Sequence, residues 1–260
     1  MKKRRWVIKT GSYMVCTGGP LLVRSWMAQV HQLKRQHGIE VIWVTSGAIA
    51  SAADRTDFYQ KKNGRKRTLP EKQALSAIGQ PMVMDLYNLA LGASGLLGAQ
   101  VLLTSDDIRD LKRRKNLQSS LEKLLDWQAV PVLNENDAVA TEEIRFGDND
   151  SLSAKIAVMM RAERLVLLTD VEGLYDKDPR TNRDAELFTY RPRVTATDLA
   201  RAGKSSGTKA GTGGMYSKIL AARMANQAGI ITHLMRGDIP HNLLNLAKGQ
   251  GPGTQIGGQK

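Results

Sequence analysis

The sequence has 260 residues, of which 42% are hydrophobic and 24% are charged, the composition of a globular protein large enough to bury a sizeable core. Lysine and arginine number 38 against 25 aspartate and glutamate residues, and the net charge of +13 favours anionic partners such as nucleotides, nucleic acid or acidic metabolites. Cys16 is the only cysteine, which excludes an intrachain disulfide and a cysteine metal cluster. No apolar run is long enough for a secretory or membrane-spanning segment, so we expect a cytoplasmic protein.

Strand and helix patterns alternate along the chain. In chain order, the sequence predicts a strand at residues 6–8, a helix at 21–37, a strand at 41–44, a helix at 69–92, a strand near 101–103, helical sequence at 105–128, a strand at 130–133, a helix from 151, a strand at 165–168, a helix at 215–228 and a strand at 230–233. The tail from residue 249 has too little apolar content to form a core element. The alternation predicts an α/β fold whose mainly parallel sheet is covered by helices on both faces.

Polar turns follow four of the predicted strands, at residues 9–12, 45–48, 134–137 and 169–170. If these strands run parallel, their C-terminal ends meet at one edge of the sheet. Ligands bind at that edge in open α/β sheets. We therefore expect the four turns to share one crevice.

Two clusters of acids and amides occupy the stretch 134–154. Residues 134–137 (Asn-Glu-Asn-Asp) leave a strand, whereas residues 148–150 (Asp-Asn-Asp) lie at the start of a helix, where exposed N–H groups favour anions. The alternative is structural, because Asp150 or Ser151 can act as a helix N-cap and such segments are common in turns.

Two lysines are candidates for binding phosphate. Lys9 stands near Gly11, and a glycine lets backbone N–H groups approach a phosphate closely. The glycine-rich segment 211–218 enters a helix and ends in Lys218, an arrangement that suits an oligophosphate, although it matches neither GxxxxGK[ST] nor GxGxxG. A sheet-edge charge at Lys9 and a flexible linker at 211–218 are the alternatives.

This set of groups favours phosphoryl transfer. The two lysines and the glycine loop supply positive charge, while Asp148, Asp150 and Asp170 could hold magnesium directly or through water. Phosphoryl transfer chiefly needs alignment of donor and acceptor and neutralisation of the transferring group, so a kinase follows, with residues 134–137 able to hold the acceptor.

These motifs resemble those of the glutamate 5-kinases, within the amino acid kinase superfamily, and the similarity is collinear from Val7 to about Ile256. The motifs are residues 8–12, 44–50, 131–140, 147–154, 167–170 with 173–175 and 178–180, and 211–218. The resemblance implies a three-layer αβα sandwich and transfer of the ATP γ-phosphate, with Mg2+, to the side-chain carboxylate of L-glutamate, the first step of proline biosynthesis. A carboxylate is already ionised at neutral pH, so no general base is required and the four histidines are not needed for the chemistry.

The resemblance also implies roles for individual residues. The catalytic positions are Lys9, Asp150 and Lys218. The glutamate-binding positions are Ser46, Gly47, Asn134, Asp137, Asp148 and Asn149. The nucleotide-binding positions are Lys9, Gly11, Ser12, Thr169, Asp170, Thr212, Gly213, Gly214, Met215, Tyr216, Ser217 and Lys218, and no direct metal ligand is assigned.

Further expectations follow from the resemblance. Many bacterial members continue into a C-terminal PUA domain, whereas this chain ends where a kinase domain would end, so we expect a single kinase domain over residues 1–260 without a PUA domain. The resemblance also implies a homo-oligomer, either a dimer or a tetramer, and feedback inhibition by proline.

Two other functions stay open at this point. One is another member of the superfamily, acting on N-acetylglutamate, aspartate, carbamate or a nucleotide. The other is a nucleic-acid-binding protein on a kinase fold, motivated by the net charge and by the basic segments 2–5, 61–67 and 109–115, although the sequence shows no RRM, KH, zinc-finger or helix-turn-helix signature.

Overall fold

One mixed sheet runs through the protein. The computed structural model describes residues 3–53, 67–140, 149–205 and 214–259. In these residues the strands are β1 (Arg4–Thr10), β2 (Ile39–Val44), β3 (Gly98–Leu103), β4 (Val130–Glu135), β5 (Arg164–Thr169), β6 (Tyr190–Arg191), β7 (Ile231–Arg236) and β8 (Thr254–Ile256). They hydrogen-bond in the order β3-β4-β2-β1-β5-β7-β8-β6.

Helices connect most of the strands. They are α1 (Ser12–His37), α2 (Leu69–Ala93), α3 (Ser105–Arg109), α4 (Leu111–Asp126), α5 (Asn149–Met159), α6 (Ala196–Ser205), α7 (Met215–Gln227) and α8 (Asn242–Ala247). Residues 48–53 are also helical. In the described part of the chain, no helix is both long enough and apolar enough to cross a bilayer.

The strands β3, β4, β2, β1, β5 and β7 pair in parallel, and β8 pairs antiparallel to β7. The C-terminal ends of β1, β2, β4 and β5 therefore lie at one edge of the sheet. This confirms that the polar turns after these four strands emerge on the same side of the molecule.

Each face of the sheet has its own hydrophobic core. Along β1, Val7 faces the core formed with α4, α5 and α7, whereas Trp6 and Ile8 face the core formed with α1, α2 and α8. Because successive strand residues point to opposite faces, strands buried on both sides need continuous apolar runs. The predicted three-layer αβα sandwich is confirmed.

The C-terminal tail differs from the prediction. Residues 254–256 form β8, and both Thr254 and Ile256 are fully buried. The prediction of no core element here was wrong because a strand of three residues is too short for hydrophobic periodicity to detect. The Thr254 hydroxyl also accepts a hydrogen bond from the backbone N–H of Leu174 at 2.8 Å, a contact that sequence spacing does not indicate.

Two helix boundaries also differ. α1 begins at Ser12 rather than near residue 21, because the non-helical backbone of Gly19 (φ 54°, ψ −153°) allows a kink before Pro20. The predicted helical segment at 105–128 is divided at Asp110, which has an extended backbone. The Asp110 carboxylate accepts a hydrogen bond from the N–H of Arg113 and so caps α4.

An ion-pair network closes the N-terminal edge of the sheet, opposite the polar turns. The buried Arg5 guanidinium contacts Glu40 of β2 at 2.7 Å and Glu122 of α4 at 2.8 Å. It also donates a hydrogen bond to the Met160 carbonyl, just after α5, at 2.9 Å. One side chain thus connects two strands to two helices.

We expect Arg5→Met to lower the free energy of unfolding by about 2 kcal/mol, because two carboxylates lose their partner beside an apolar side chain. Arg4→Met is the matched control: Arg4 pairs with Glu163 in a more exposed position, so its loss should cost less than about 1 kcal/mol. Urea unfolding measures both values. Equal effects would contradict the role of Arg5.

The same pair of variants gives a pH test. The hydrogen bond from Arg5 lowers the pKa of Glu122. A lowered pKa contributes stability above the usual pKa of a glutamate and loses it as the pH falls through the lowered value. The deficit of Arg5→Met should therefore shrink in acid.

Candidate active site

Two lysines far apart in the sequence meet at one carboxylate. The Nζ atom of Lys9 lies 2.6 Å from Oδ1 of Asp150, and the Nζ atom of Lys218 lies 3.3 Å from Oδ2. The Ser217 hydroxyl donates to the same Oδ2 at 2.7 Å. Because the three charged side chains carry two positive charges and one negative charge, the cluster favours a further anion.

Burial makes this charge cluster unusual. The side chain of Asp150 is fully buried, and those of Lys9 and Lys218 are at most 7% exposed. Burial raises the pKa of Asp150, but the nearby ammonium groups of Lys9 and Lys218, helped by hydrogen bonds from Lys9 and Ser217, outweigh it and lower the pKa to about 2. Asp150 is therefore ionised at any physiological pH.

The secondary structure explains why the three side chains converge. Lys9 follows the alternation of β1 onto the face that carries Val7, which is the face covered by α5 and α7. Asp150 lies in the first turn of α5. Lys218 lies in the first turn of α7, where its N–H bonds to the Gly214 carbonyl.

Helix N-termini add positive potential near the cluster. α1 begins at Ser12 after the N-cap residue Gly11, directly beyond the end of β1, and α7 begins at Met215 after Gly214. Neither helix has an acidic residue in its first turn, so their unpaired N–H groups are not neutralised there. Both ends are suited to phosphate oxygens.

A chain of polar side chains lies beside the charge cluster. Nδ2 of Asn149, the residue before Asp150, donates to the Thr45 carbonyl at 2.7 Å and to the Ser46 hydroxyl at 2.8 Å. It also lies 2.7 Å from Oδ1 of Asn134, which accepts a hydrogen bond from the N–H of Glu135. The turns after β2 and β4 are thus joined to the start of α5.

Among the described residues, one hydrogen-bond acceptor in this row of polar side chains lacks a donor. Oδ1 of Asn149 is buried and accepts no hydrogen bond from any residue that the structure describes. A buried acceptor without a partner costs free energy, so such atoms commonly mark a missing ligand or water. An N–H donor on a bound molecule would satisfy it.

The other residues predicted to bind glutamate lie in neighbouring turns. Gly47 has φ of 105°, a conformation that favours glycine, and its carbonyl accepts from the N–H of Ser51. Asp137 lies in a turn in which the Asn136 carbonyl accepts from the N–H of Ala140 at 3.0 Å. The Asp137 side chain is half-buried.

The structure describes only some of the residues that are predicted to bind the nucleotide. Thr169 is buried at the end of β5 and donates to the exposed carboxylate of Asp170 at 3.0 Å. Tyr216 is 43% exposed in the first turn of α7. Asp148, Thr212 and Gly213 lie outside the described residues.

Three contributors from α2 were not predicted. Gln80 accepts a hydrogen bond from Nδ2 of Asn134 at 2.7 Å, and Gln73 donates to the Ala140 carbonyl at 3.3 Å. The buried hydroxyl of Tyr87 accepts from Trp43 at 2.9 Å.

The same hydroxyl of Tyr87 also lies within hydrogen-bonding distance of Thr10 and Thr45, so it connects the ends of β1 and β2. A sequence signal existed for these residues. Positions 73, 80 and 87 are seven apart, a spacing that places them on one face of a helix.

Comparison with known proteins places the chain in a family. The amino acid kinase family matches residues 4–235. A glutamate 5-kinase of Alcanivorax borkumensis is 42% identical over 258 residues, which are 98% of this chain and 67% of that protein. A glutamate 5-kinase of Meiothermus ruber is 43% identical over 260 residues, which are 99% of this chain and 67% of that protein.

Solved structures share the fold at low sequence identity. Carbamate kinase from Giardia lamblia has a TM-score of 0.66 at 13% identity and covers 98% of both chains. An isopentenyl phosphate kinase has a TM-score of 0.65 at 16% identity and covers 97% of this chain and 100% of that chain. The fold is shared with kinases of different substrates, whereas the high sequence identity is to glutamate 5-kinases. The chain therefore belongs to the amino acid kinase family and, within it, to the glutamate 5-kinases.

Proposed function

We propose that this protein transfers the γ-phosphate of ATP to the side-chain carboxylate of L-glutamate and forms L-glutamyl 5-phosphate, the first step of proline biosynthesis. One observation carries the proposal: Lys9 and Lys218 converge on Asp150 beside a chain of polar side chains. Relatives at about 40% identity carry the name of this activity.

The charge cluster is suited to the donor. The triphosphate and the transferring phosphoryl group carry negative charge, and two ammonium groups at one point neutralise it without a proton transfer. Asp150 holds both lysines in place, because each bonds to a different oxygen of its carboxylate. The roles are thus complementary: Lys9 and Lys218 contact phosphate oxygens, and Asp150 orients the lysines.

The polar chain is suited to the acceptor. Glutamate has an ammonium group and two carboxylates, so its site needs both acceptors and donors. Oδ1 of Asn149 is a buried acceptor that an N–H group would satisfy. The half-buried side chain of Asp137 carries a negative charge suited to an ammonium. Since Asn149 and Asp150 are consecutive, the acceptor lies next to the phosphate-binding lysines.

The proposed reaction has no need of a histidine base, because the attacking carboxylate is already ionised. His233, on β7, illustrates the structural use of histidine here. It is buried against Arg164, and burial, with a further contribution from Arg164, lowers the pKa of His233 to about 3. It is therefore neutral at physiological pH.

Magnesium fits this site as an ion coordinated mainly by the phosphates of the nucleotide. No group of three or more His, Cys, Asp or Glu side chains that could hold a metal occurs in the described ranges, and both oxygens of Asp150 are bound by lysines. Mg2+ commonly keeps several waters and binds through substrate phosphates with one or two carboxylates. Bound in that way it would neutralise phosphate charge, and Asp170 is the exposed carboxylate at the end of β5.

Two implications of the family resemblance stay predictions: inhibition by proline and assembly into a dimer or tetramer. The organisation of residues 1–260 as one kinase domain and the cytoplasmic location inferred from the sequence also stay predictions.

The acceptor decides between family members. We expect ADP release in a coupled assay with ATP, Mg2+ and L-glutamate, and less than about 1% of that rate with N-acetylglutamate, aspartate or carbamate, because a site with buried polar groups rejects molecules that leave them unpaired. Turnover with one of the other acceptors and none with glutamate would overturn the proposal.

We expect Lys218→Met and Asp150→Asn each to lower kcat at least about 100-fold. Lys218→Met removes a positive charge that neutralises phosphate, and Asp150→Asn removes the carboxylate charge that holds both lysines in place. The loss should be the same at about pH 6 and about pH 8, since Asp150 is ionised throughout. Lys34→Met is the matched control: Lys34 donates to the Gln128 carbonyl far from the site, and this variant should keep its kcat. A Lys218→Met variant with normal turnover would contradict the proposed role.

We expect Asp137→Ala to raise the KM for glutamate about tenfold or more with a much smaller change in the KM for ATP, because its carboxylate is proposed to hold the acceptor. Steady-state kinetics with each substrate varied in turn measure the two constants. Equal increases in both would count against the assignment of Asp137 to the acceptor.

A further inference from the structure

The hydrogen bonds beside the charge cluster have a fixed direction. At one end, Asn149 faces the Thr45 carbonyl, which can only accept, so the amide nitrogen of Asn149 must point there. In the middle, Asn134 faces the backbone N–H of Glu135, which can only donate, so its amide oxygen must point there. The orientation of both amides therefore follows from backbone groups.

The orientation of Asn134 means that its amide nitrogen needs a hydrogen-bond acceptor on the opposite side. With its oxygen turned to Glu135 and Asn149, Asn134 points its amide nitrogen toward α2. The acceptor there is Oε1 of Gln80, at 2.7 Å. Both side chains are buried, so without Gln80 the nitrogen of Asn134 would lose a partner that water could not readily replace.

The backbone of α2 is held close to the same loops. A Cβ atom at Gly79 would lie 1.8 Å from the Ala48 carbonyl oxygen, so only glycine permits this approach to the helical residues that follow the turn after β2. The position of Gln80 is therefore set by backbone packing. Gln73 and Tyr87, one heptad to either side, bond to Ala140 and Thr45.

We propose that Gln80 is a positioning residue for the acceptor pocket, through the relay Gln80–Asn134–Asn149. Its oxygen accepts from the amide nitrogen of Asn134 and so holds Asn134 where the backbone-oriented oxygen of Asn134 accepts from Asn149. The oxygen of Asn149 then stays available to an N–H group of the acceptor. This inference rests on the proposed function, because it assigns the free oxygen of Asn149 to the bound amino acid.

The relay does not include the lysines or the helix N-termini that face phosphate. Loss of Gln80 leaves the buried amide nitrogen of Asn134 without an acceptor. Asn134 should then shift from the position in which its oxygen accepts from Asn149, so the amide of Asn149 is held less firmly. The affinity for the acceptor should fall, while the site for ATP keeps its geometry. A purely structural role would instead lower stability and affect both substrates alike.

The test compares Gln80→Met, which keeps the length of the side chain but removes the acceptor oxygen, with Gln80→Glu, which retains one. We expect Gln80→Met to raise the KM for glutamate about tenfold, with the KM for ATP and kcat changed less than about threefold. Gln80→Glu should return the KM for glutamate to within about threefold of the parent, because a carboxyl oxygen accepts from Asn134 whether or not the group is protonated.

Gln29→Met is the matched control. Gln29 is an equally buried glutamine whose oxygen accepts from the backbone N–H of Leu243, between α1 and α8. It should lower the melting temperature without changing the KM for glutamate. Should Gln80→Met fail to fold, Gln80→Asn carries the same test, since its amide is one methylene too short to reach Asn134.

The outcomes separate the two proposals. If the parent protein does not phosphorylate glutamate, the proposed function is wrong. A parent that does, with a Gln80→Met variant whose KM for glutamate is unchanged or rises only in step with the KM for ATP, overturns the role of Gln80 alone. A Gln80→Glu variant as impaired as Gln80→Met also overturns it, because the acceptor oxygen would then not be the property that matters.

Discussion

The buried carboxylate of Asp150 between two ammonium groups is the contact on which the site depends. Burying three ions is costly, and it is tolerated when the charges bond to one another with good geometry. Here the lysines come from β1 and α7 and the carboxylate from α5, so the cluster forms only when these elements have packed together. The remaining positive charge favours an anion at that point.

The hydrogen-bonded chain beside the charge cluster consists of neutral polar groups. Amides next to the charge cluster have both donors and acceptors, so their direction matters as much as their distance. In this protein the backbone carbonyl of Thr45 and the backbone N–H of Glu135 impose that direction. In the proposed function, the two lysines therefore attract the phosphate groups, and the amides select for the pattern of donors and acceptors on the bound amino acid.

Much of this architecture could be predicted from the sequence, for identifiable physical reasons. Strands such as β2 and β5 are buried on both faces, so they are continuous apolar runs, and the rule for parallel sheets places the turns after them at one edge. Lys9 stands out because it ends an apolar strand, and Lys218 because it follows a glycine-rich segment that enters a helix. In contrast, β8 has three residues and owes its place to backbone pairing with β7 and to the Thr254 hydroxyl. Gln80 could not be singled out by its type, because a glutamine in a helix is usually exposed.

The location of these missed residues has a physical explanation. The turns after β2 and β4 come from neighbouring strands, and among the described residues backbone bonding between them continues only to the N–H of Thr45, which donates to the Leu133 carbonyl at 2.8 Å. Side chains from another element hold the residues beyond that point. α2 lies across them, and the absence of a side chain at Gly79 brings its backbone against Ala48. A helix repeats its face about every seven residues, so one rigid support reaches both segments. Gln80 and Gln73 contact the end of β4 and the turn after it, and Tyr87 contacts Thr45 after β2. A glycine in a helix interior lowers helix stability by up to about 1 kcal/mol, and the close approach that it permits is what allows a polar side chain of α2 to reach the buried amide of Asn134.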